Sequence, residues 1–392
     1  MDFLLADGGG WVVVIYLDNA ASSWPKPPEV AAKMEECLRE YGANPGRGSH
    51  ALSMKASRVI FEARRKVAGL FGVKNPDNVI FTQNATEALN LGILGLLKPG
   101  DHAITTMLEH NSVRRPLEYV RRERGVELTY VQADERGRLL AESVRNAIRE
   151  NTKLIVVTHG SNLTGTLLPV GEIGAIAKEH GVVLMVDVCQ TAGVYPIDVE
   201  AMNIGMLAFT GHKGLYGPQG TGGLYLHPEV ELEPLMHGGS GGYSELLEMP
   251  KTRPDRYEAG TRNTVGIAGL LAGISVVESK GLDKIREHEE TLAYQLHQGL
   301  EAIGGVTVYG PPLSEPRVPI VSFTVEGYES HEVGFILDRN YGICVRSGLH
   351  CAPVAHETIG TVEQGVVRAS VGLFNTEEDV KALLDAVAEI AG

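Results

Sequence analysis

Two polar positions near the middle of the chain carry the first chemical signal. Val182-Val-Leu-Met-Val-Asp187-Val-Cys-Gln190 is an apolar run that ends in a carboxylate. Ala208-Phe-Thr210-Gly-His212-Lys213 is a second run, ending in a His-Lys pair. Runs this short and this apolar read as strands buried on both faces, and neighbouring strands can bring their carboxyl ends to one crevice. A carboxylate and an amine meeting there suit pyridoxal phosphate. The amine condenses with the aldehyde, and the carboxylate keeps the pyridine nitrogen protonated, so the ring can withdraw electrons from a substrate Cα. Partial burial would lower the pKa of such an amine and so activate it. Taken singly, Asp187 would serve equally well as a strand-end cap and Lys213 as a solvated loop lysine.

The elements that must position these residues follow an alternating pattern. Val79–Thr82, Asp101–Thr105, Glu127–Val131, Leu154–Thr158, Val182–Asp187 and Met206–Thr210 read as strands. Ala85–Leu97, Ser112–Arg124, Glu142–Glu150 and Val170–His180 between them read as helices. The alternation predicts an α/β fold with a mostly parallel central sheet and helices on both faces. A long helix is expected from Val265. The remainder reads as a smaller α+β unit: a helix, a strand over Arg317–Val325, a helix over His331–Asn340, strands at Ile343–Ser347 and Val366–Ser370, and a helix over Glu377–Ile390. The expected division is 18–280 for the large domain and 281–392 for the small one, with residues 1–17 packing on the latter. Residues 11–17 read as a strand, and residues 1–10 as a weakly ordered leader or an overlong start.

Composition narrows the function. The chain has 392 residues, 43% of them hydrophobic, and a formal charge of −14. That balance, with no long Lys/Arg run, argues against a nucleic-acid binder, which neutralises phosphates with clustered cations. Four scattered cysteines do not make a disulfide framework. No apolar run approaches the roughly 18–20 residues of a bilayer span. The apolar stretch at Trp11–Leu17 follows Asp2 and Asp7, unlike a secretory leader, and the expected location is the cytoplasm. Nucleotide motifs fail as well. Gly217-Pro-Gln-Gly-Thr-Gly-Gly223 is followed by a strand pattern where a dinucleotide fingerprint needs a helix, and His212 separates Gly211 from Lys213 in what would be a phosphate loop.

Ordered strings along nearly the whole chain resemble the class V aminotransferase family of fold-type I pyridoxal-phosphate enzymes, and within it the group II cysteine desulfurases and selenocysteine lyases. They are Tyr16-Leu-Asp-Asn-Ala-Ala21, Asn84-Ala-Thr-Glu-Ala-Leu-Asn90, Leu108-Glu-His110, Val186-Asp-Val-Cys-Gln190, Gly211-His-Lys213, Tyr216-Gly-Pro-Gln-Gly220, Glu258-Ala-Gly-Thr261, Arg346-Ser-Gly-Leu-His-Cys351 and Arg368-Ala-Ser370. The resemblance implies that Lys213 carries the cofactor, with Asp187 on the ring nitrogen, Gln190 on the ring hydroxyl and His110 stacked on the ring. It places the phosphate at the helix start Ala85-Thr86, where free N–H groups and the helix dipole favour an anion. Thr210 and His212 would add phosphate hydrogen bonds, and Thr261 would reach in from the other subunit of a homodimer. Asn84 would also serve as a plain N-cap with Glu87 as its capping-box partner. Arg262 stands where many relatives carry Pro, so this loop would differ in shape or charge.

The same resemblance gives Cys351 the sulfur chemistry. Its thiolate would attack the sulfur of bound L-cysteine, leaving L-alanine and an enzyme persulfide whose sulfur passes to an acceptor protein or a reductant. His350 or Arg346 beside it would favour the nucleophilic thiolate. Arg368 would clamp the substrate carboxylate. Asn162 would bind the same carboxylate or the ring-hydroxyl side, Arg346 would join the substrate site, and Asn19 and His50 would line the entrance. Cys37, Cys189 and Cys344 read as packing residues. A metal site built from Cys344, His350, Cys351 and His356 lacks any standard ligand spacing, so no metal is expected. The alternatives are L-selenocysteine as substrate, cysteine-sulfinate desulfination, another class V transamination, or a catalytically silent dimeric scaffold.

Overall fold

A computed structural model describes residues 3–5, 11–46 and 48–392, with residues 3–5 and 11–13 described by backbone alone. The first strands are β1 (Phe3–Leu5), β2 (Trp11–Val13) and β3 (Ile15–Tyr16). The strand expected over 11–17 is therefore broken at Val14. Its first half pairs antiparallel with β1, and its second half lies parallel to a strand near the other end of the chain. The other residues of the 1–10 stretch lie outside the described residues.

Helices α1 (Pro28–Glu40) and α2 (Ala51–Leu70) precede a seven-stranded sheet. Its strands are β4 (Val79–Thr82), β5 (His102–Thr106), β6 (Glu127–Val131), β7 (Thr152–Thr158), β8 (Val183–Asp187), β9 (Met206–Thr210) and β10 (Gly222–Leu226), in the spatial order β4-β10-β9-β8-β7-β5-β6. The pairings through β9-β8-β7-β5-β6 are parallel, and β10 runs antiparallel to both β9 and β4. Strands β4, β5, β9 and β10 are buried at every residue, the edge strand β4 included, which is why they read as continuous apolar runs. The sheet is flanked by α3 (Ala85–Leu96), α4 (Asn111–Arg124), α5 (Ala141–Arg145), α6 (Val170–Glu179) and α7 (Thr264–Lys280). The register sets Thr158 beside Asp187 and Asp187 beside Ala208, so the polar ends of β7, β8 and β9 lie along one edge.

Helix α5 is shorter than the pattern over 142–150 suggested. Its end tightens through i→i−3 bonds (Ala147 N–H to the Val144 carbonyl, 3.1 Å), and the Arg149 N–H turns to Thr152 Oγ1 at 2.7 Å, where β7 begins.

Beyond Gly281 the chain continues through α8 (Leu282–Glu301), β11 (Val306–Tyr309), β12 (Ile320–Val325), α9 (Ser330–Tyr341), β13 (Ile343–Cys344), β14 (Arg346–Gly348), α10 (Pro353–Ile359), β15 (Val366–Ser370) and α11 (Glu377–Ala391). An antiparallel sheet of order β11-β12-β15-β14 packs its apolar face on α8, α9 and α11. The strand read over 317–325 starts only at Ile320, because Pro316 and Pro319 cannot donate to a ladder. The strand read over 343–347 is split at Val345: Ile343–Cys344 pairs with β3, and Arg346–Gly348 pairs with β15. That switch sets Arg346 directly opposite Arg368.

Among the described residues no single helix is long and apolar enough to cross a membrane. Helices α7 and α8 pass such a test only as a pair bent by 83°. Helix α7 is mostly buried, and residues such as Ile267, Leu270 and Ile274 belong to the core between sheet and helices.

One buried ion pair joins distant segments. The Arg64 guanidinium on α2 donates to both carboxylate oxygens of Glu258, at 2.7 and 2.9 Å, and the Phe81 N–H of β4 donates to the same carboxylate. The side chains are only 6% and 7% exposed. Removing one partner strands a buried charge. Arg64→Met is expected to destabilise the fold by about 3–5 kcal/mol, read as a lowered urea midpoint.

Candidate active site

The carboxyl edge of the large sheet opens into a cavity of about 200 Å³, closed on the far side by the small sheet. Ala85, Thr86, His110, Asn162, Asp187, Gln190, Thr210, His212, Lys213, Arg346 and Arg368 all line it. Asp187 is the last residue of β8, and one carboxylate oxygen accepts the Cys189 N–H at 2.9 Å. Lys213 follows β9, and among the described residues it forms no ion pair. Burial lowers its pKa, and Arg368 and Arg346 push the same way. An amine held in this state is easier to deprotonate, and so a better nucleophile, than a solvated lysine.

One wall is built for an anion. Helix α3 begins at Ala85, where the Asn84 side chain caps the Glu87 N–H at 2.9 Å and the Glu87 carboxylate accepts the Gln83 N–H at 2.7 Å. Helix geometry leaves the Ala85 and Thr86 N–H groups without an intrahelical acceptor, so they can take an anionic ligand. A Cβ on Gly222 of β10 would lie 2.7 Å from Asn84 backbone atoms, so only glycine lets the strand approach this turn. Thr86 Oγ1 lies 2.8 Å from Ser112 Oγ, and His212 Nδ1 is buried with no hydrogen-bond partner. Burial also lowers the pKa of His212, to about 4, leaving a neutral ring for a phosphate-sized group.

His110 caps α4, its Nδ1 accepting the Ser112 N–H at 3.1 Å. Burial lowers its pKa to about 4, so the ring enters the cavity neutral. The Gln190 amide donates to the Ala20 carbonyl at 3.1 Å. Thr210 is buried at the end of β9, its hydroxyl 3.5 Å from the Thr221 carbonyl.

The opposite wall is cationic. Arg368, 1% exposed, donates to Asp18 Oδ1 at 2.8 Å and to the Asn162 carbonyl at 3.0 Å, while its Nε is buried without a partner. Asn162 lines the cavity, and its amide nitrogen donates to the His350 carbonyl at 2.8 Å, which holds a neighbouring loop. Arg346 lines the cavity and also approaches Cys351, with Nη2 3.6 Å from the sulfur. Cys351 is exposed. It follows His350, and the two residues have φ of +56° and +50°. For L-residues that left-handed conformation costs roughly 1–2 kcal/mol each, so the surroundings must impose it.

Four positions proposed from sequence lie outside the cavity lining: Cys351, which meets it through Arg346, and Asn19, His50 and Thr261. Asn19 is spent on the fold, its amide donating to the Ser370 carbonyl and to Asn375 Oδ1. His50 is exposed and caps α2 through the Ser53 N–H. Thr261 is exposed, 3.5 Å from Asn44 Nδ2, and Arg262 beside it donates to the carbonyls of Ala259 and Phe81. Sequence reasoning missed Ser112, whose signal is its place immediately after His110-Asn111, and Asp18, which anchors Arg368. Cys189, read as a packing residue, forms part of the cavity wall, and burial raises its thiol well above the usual range. Among the described residues no group of three or more His, Cys, Asp or Glu could hold a metal.

The geometry has close parallels among known proteins. The model of the family "Aminotransferase class-V" matches residues 15–383. The chain belongs to that family. Its similarity extends to particular members. It is 41% identical to a "Probable cysteine desulfurase" of Methanothermobacter thermautotrophicus, over 96% of this chain and 95% of the relative. It is 33% identical to a "Cysteine desulfurase" of Haloferax volcanii, over 95% and 88%. A solved apo structure of a cysteine desulfurase from Thermococcus onnurineus superposes with a TM-score of 0.91 at 37% identity, covering 96% of this chain and 94% of that one.

Glu109, wholly buried behind the site, gives a pH test. Its Oε1 accepts from Thr106 Oγ1 at 2.6 Å and the Thr158 N–H at 3.0 Å, and Oε2 has no partner. Burial raises its pKa to about 8, with Asp187 adding to the effect. The folded state thus holds this proton more tightly than the unfolded one. The stabilisation is complete below the ordinary value of 4.5 and is lost as pH rises towards about 8. Glu109→Gln should remove that loss. Its unfolding free energy relative to the parent should climb with pH across this window and level off above it, read by urea unfolding at several pH values.

Proposed function

We propose that this chain is a pyridoxal-phosphate-dependent cysteine desulfurase, converting L-cysteine to L-alanine and holding the removed sulfur as a persulfide on Cys351. The observation that carries the reading is the bridge made by Arg346, which faces the cavity and has its other edge at the Cys351 sulfur. A transaminase needs no thiol at that place. The names of the relatives support the same reading.

The residues fit the cofactor. Asp187 offers a carboxylate oxygen at the strand end for the ring nitrogen, and the Ala85 and Thr86 N–H groups with Thr210 and the unpartnered His212 suit the phosphate. Gln190 and His110, which line the same cavity, would hold the ring. When bound, pyridoxal phosphate supplies an electron sink joined to the substrate Cα. Arg368 and Arg346 orient the substrate carboxylate through charge-assisted hydrogen bonds. Lys213, held ready to lose its proton, takes and returns the proton at Cα. The Cys351 thiolate attacks the substrate sulfur. The S–S bond forms as the Cβ–S bond breaks, and the electron pair left on carbon is protonated to give the methyl group of alanine. The sulfur then leaves to a reductant or an acceptor protein. Thr261, exposed on its own chain, is suited to reach the phosphate of a second copy, which makes the working unit a homodimer.

The test is alanine and sulfide formation from L-cysteine, compared with L-selenocysteine and L-cysteine sulfinate, with and without reductant. Cys351→Ala should lower cysteine turnover by about a hundredfold or more while keeping the visible band of lysine-bound cofactor. Lys213→Ala should lose that band. Undiminished sulfide release from Cys351→Ala would overturn the reading.

A further inference from the structure

His356 lies on α10, 0% exposed and outside the cavity lining, and the resemblance assigns it no role. Its Nδ1 is 2.7 Å from Thr361 Oγ1, which fastens it to the turn after α10. Its ring lies parallel to that of His350, with centroids 5.9 Å apart and planes 11° apart. This is an offset stack of the kind aromatic pairs prefer.

The partner in that stack is the residue just before the thiol. His350 is 2% exposed, and its Nε2 donates to the Arg346 carbonyl at 3.2 Å. Its other ring nitrogen, Nδ1, is buried with no partner. One hydrogen bond does not fix a ring's rotation, which leaves its plane to the groups packed on it, the His356 face among them. Around it, the Asn162 amide holds the His350 carbonyl at 2.8 Å, the Asn111 N–H holds the Cys351 carbonyl at 2.8 Å, and the Ala352 N–H closes on the Leu349 carbonyl at 2.9 Å. These contacts impose two consecutive left-handed residues that neither side chain favours. Burial lowers both histidines, His350 to about 2, so the two rings meet uncharged.

We propose that His356 is a positioning residue for the Cys351 thiol: by stacking on His350 it holds residues 348–351 in the conformation that sets the sulfur beside Arg346. This rests on the reading of Cys351 as the sulfur-accepting thiol. A positional error of the order of 1 Å between reacting atoms costs about a hundredfold in rate, so the effect falls on turnover rather than on binding.

Three variants of the cofactor-loaded enzyme separate positioning from stability. His356→Phe keeps a flat ring and loses both Nδ1 contacts to Thr361, His356→Leu loses ring and contacts, and Thr361→Val loses the hydroxyl contact alone and keeps the 3.2 Å contact to the Thr361 carbonyl. The expected result is that kcat for alanine formation falls by about tenfold to a hundredfold in His356→Leu and stays within about threefold of the parent in the other two. KM for L-cysteine and the cofactor band should stay unchanged in all three. The rate of Cys351 alkylation by iodoacetamide, which needs no turnover, should change only in His356→Leu. Thermal stability is expected to drop in all three, because each loses the buried contact to the Thr361 hydroxyl. A kcat that follows stability across the series, or an alkylation rate equal in all four proteins, overturns the proposal. If His356→Leu does not fold, a large fall of kcat in Thr361→Val or His356→Phe overturns it, and parent-like alkylation and turnover in those two support it. The alkylation arm separates this from failure of the parent reading, since Cys351→Ala that still desulfurates would remove the role of the thiol itself.

Discussion

Excess positive charge in a confined space is the constraint around which the site is organised. Lys213, Arg346 and Arg368 face one cavity, and Asp187 is the single carboxylate among the residues that line it. Arg368 reaches Asp18 outside that lining and still leaves a buried N–H unused. Cations removed from water are costly unless they are paired. Ligands that bring their own anionic groups, a phosphate at one end and a carboxylate at the other, relieve that cost, so affinity and orientation arise from the same interaction. The unshared N–H groups at the start of α3 extend this field towards one wall, and the two arginines extend it towards the other.

The thiol depends on that arrangement through Arg346. This side chain is placed by the switch at Val345, which carries the chain from pairing with β3 to pairing with β15. The same switch starts the tight loop that contains Cys351. A loop with two left-handed residues, closed by a backbone bond to α4 and by the Asn162 amide, favours a fixed thiol over one that travels with a long arm.

The strands of the large sheet were legible because buried parallel strands repeat apolar residues without interruption, and because the polar residues at 187, 210 and 213 fall where those runs end. The start of α3 was legible from Asn84 and Glu87. Other features depend on contacts that no local pattern records. The four residues of β11, Val-Thr-Val-Tyr, form a half-exposed edge strand whose alternating pattern is too short to stand out in the sequence. The break at Val345 reflects two partner strands far away in sequence. Asn162 carries its amide into the loop of His350 because β15 and the turn after β7 meet across the two sheets. Asn19, read as an entrance residue, is drawn into the packing of residues 370–375 by two of its own hydrogen bonds. His50 and Thr261 lie on exposed surface, where their surroundings depend on what a single chain leaves open.

The link between Asp18 and Arg368 closes the site with residues from opposite ends of the chain, and Asn19 bonded to Asn375 repeats the closure nearby. During translation the large sheet can form while the C-terminal segment is still inside the ribosome. The arginine that would grip a substrate carboxylate arrives only with the last strand. A nascent chain can thus build the cradle for a phosphate well before it can bind an amino acid, because contacts of such sequence separation form late.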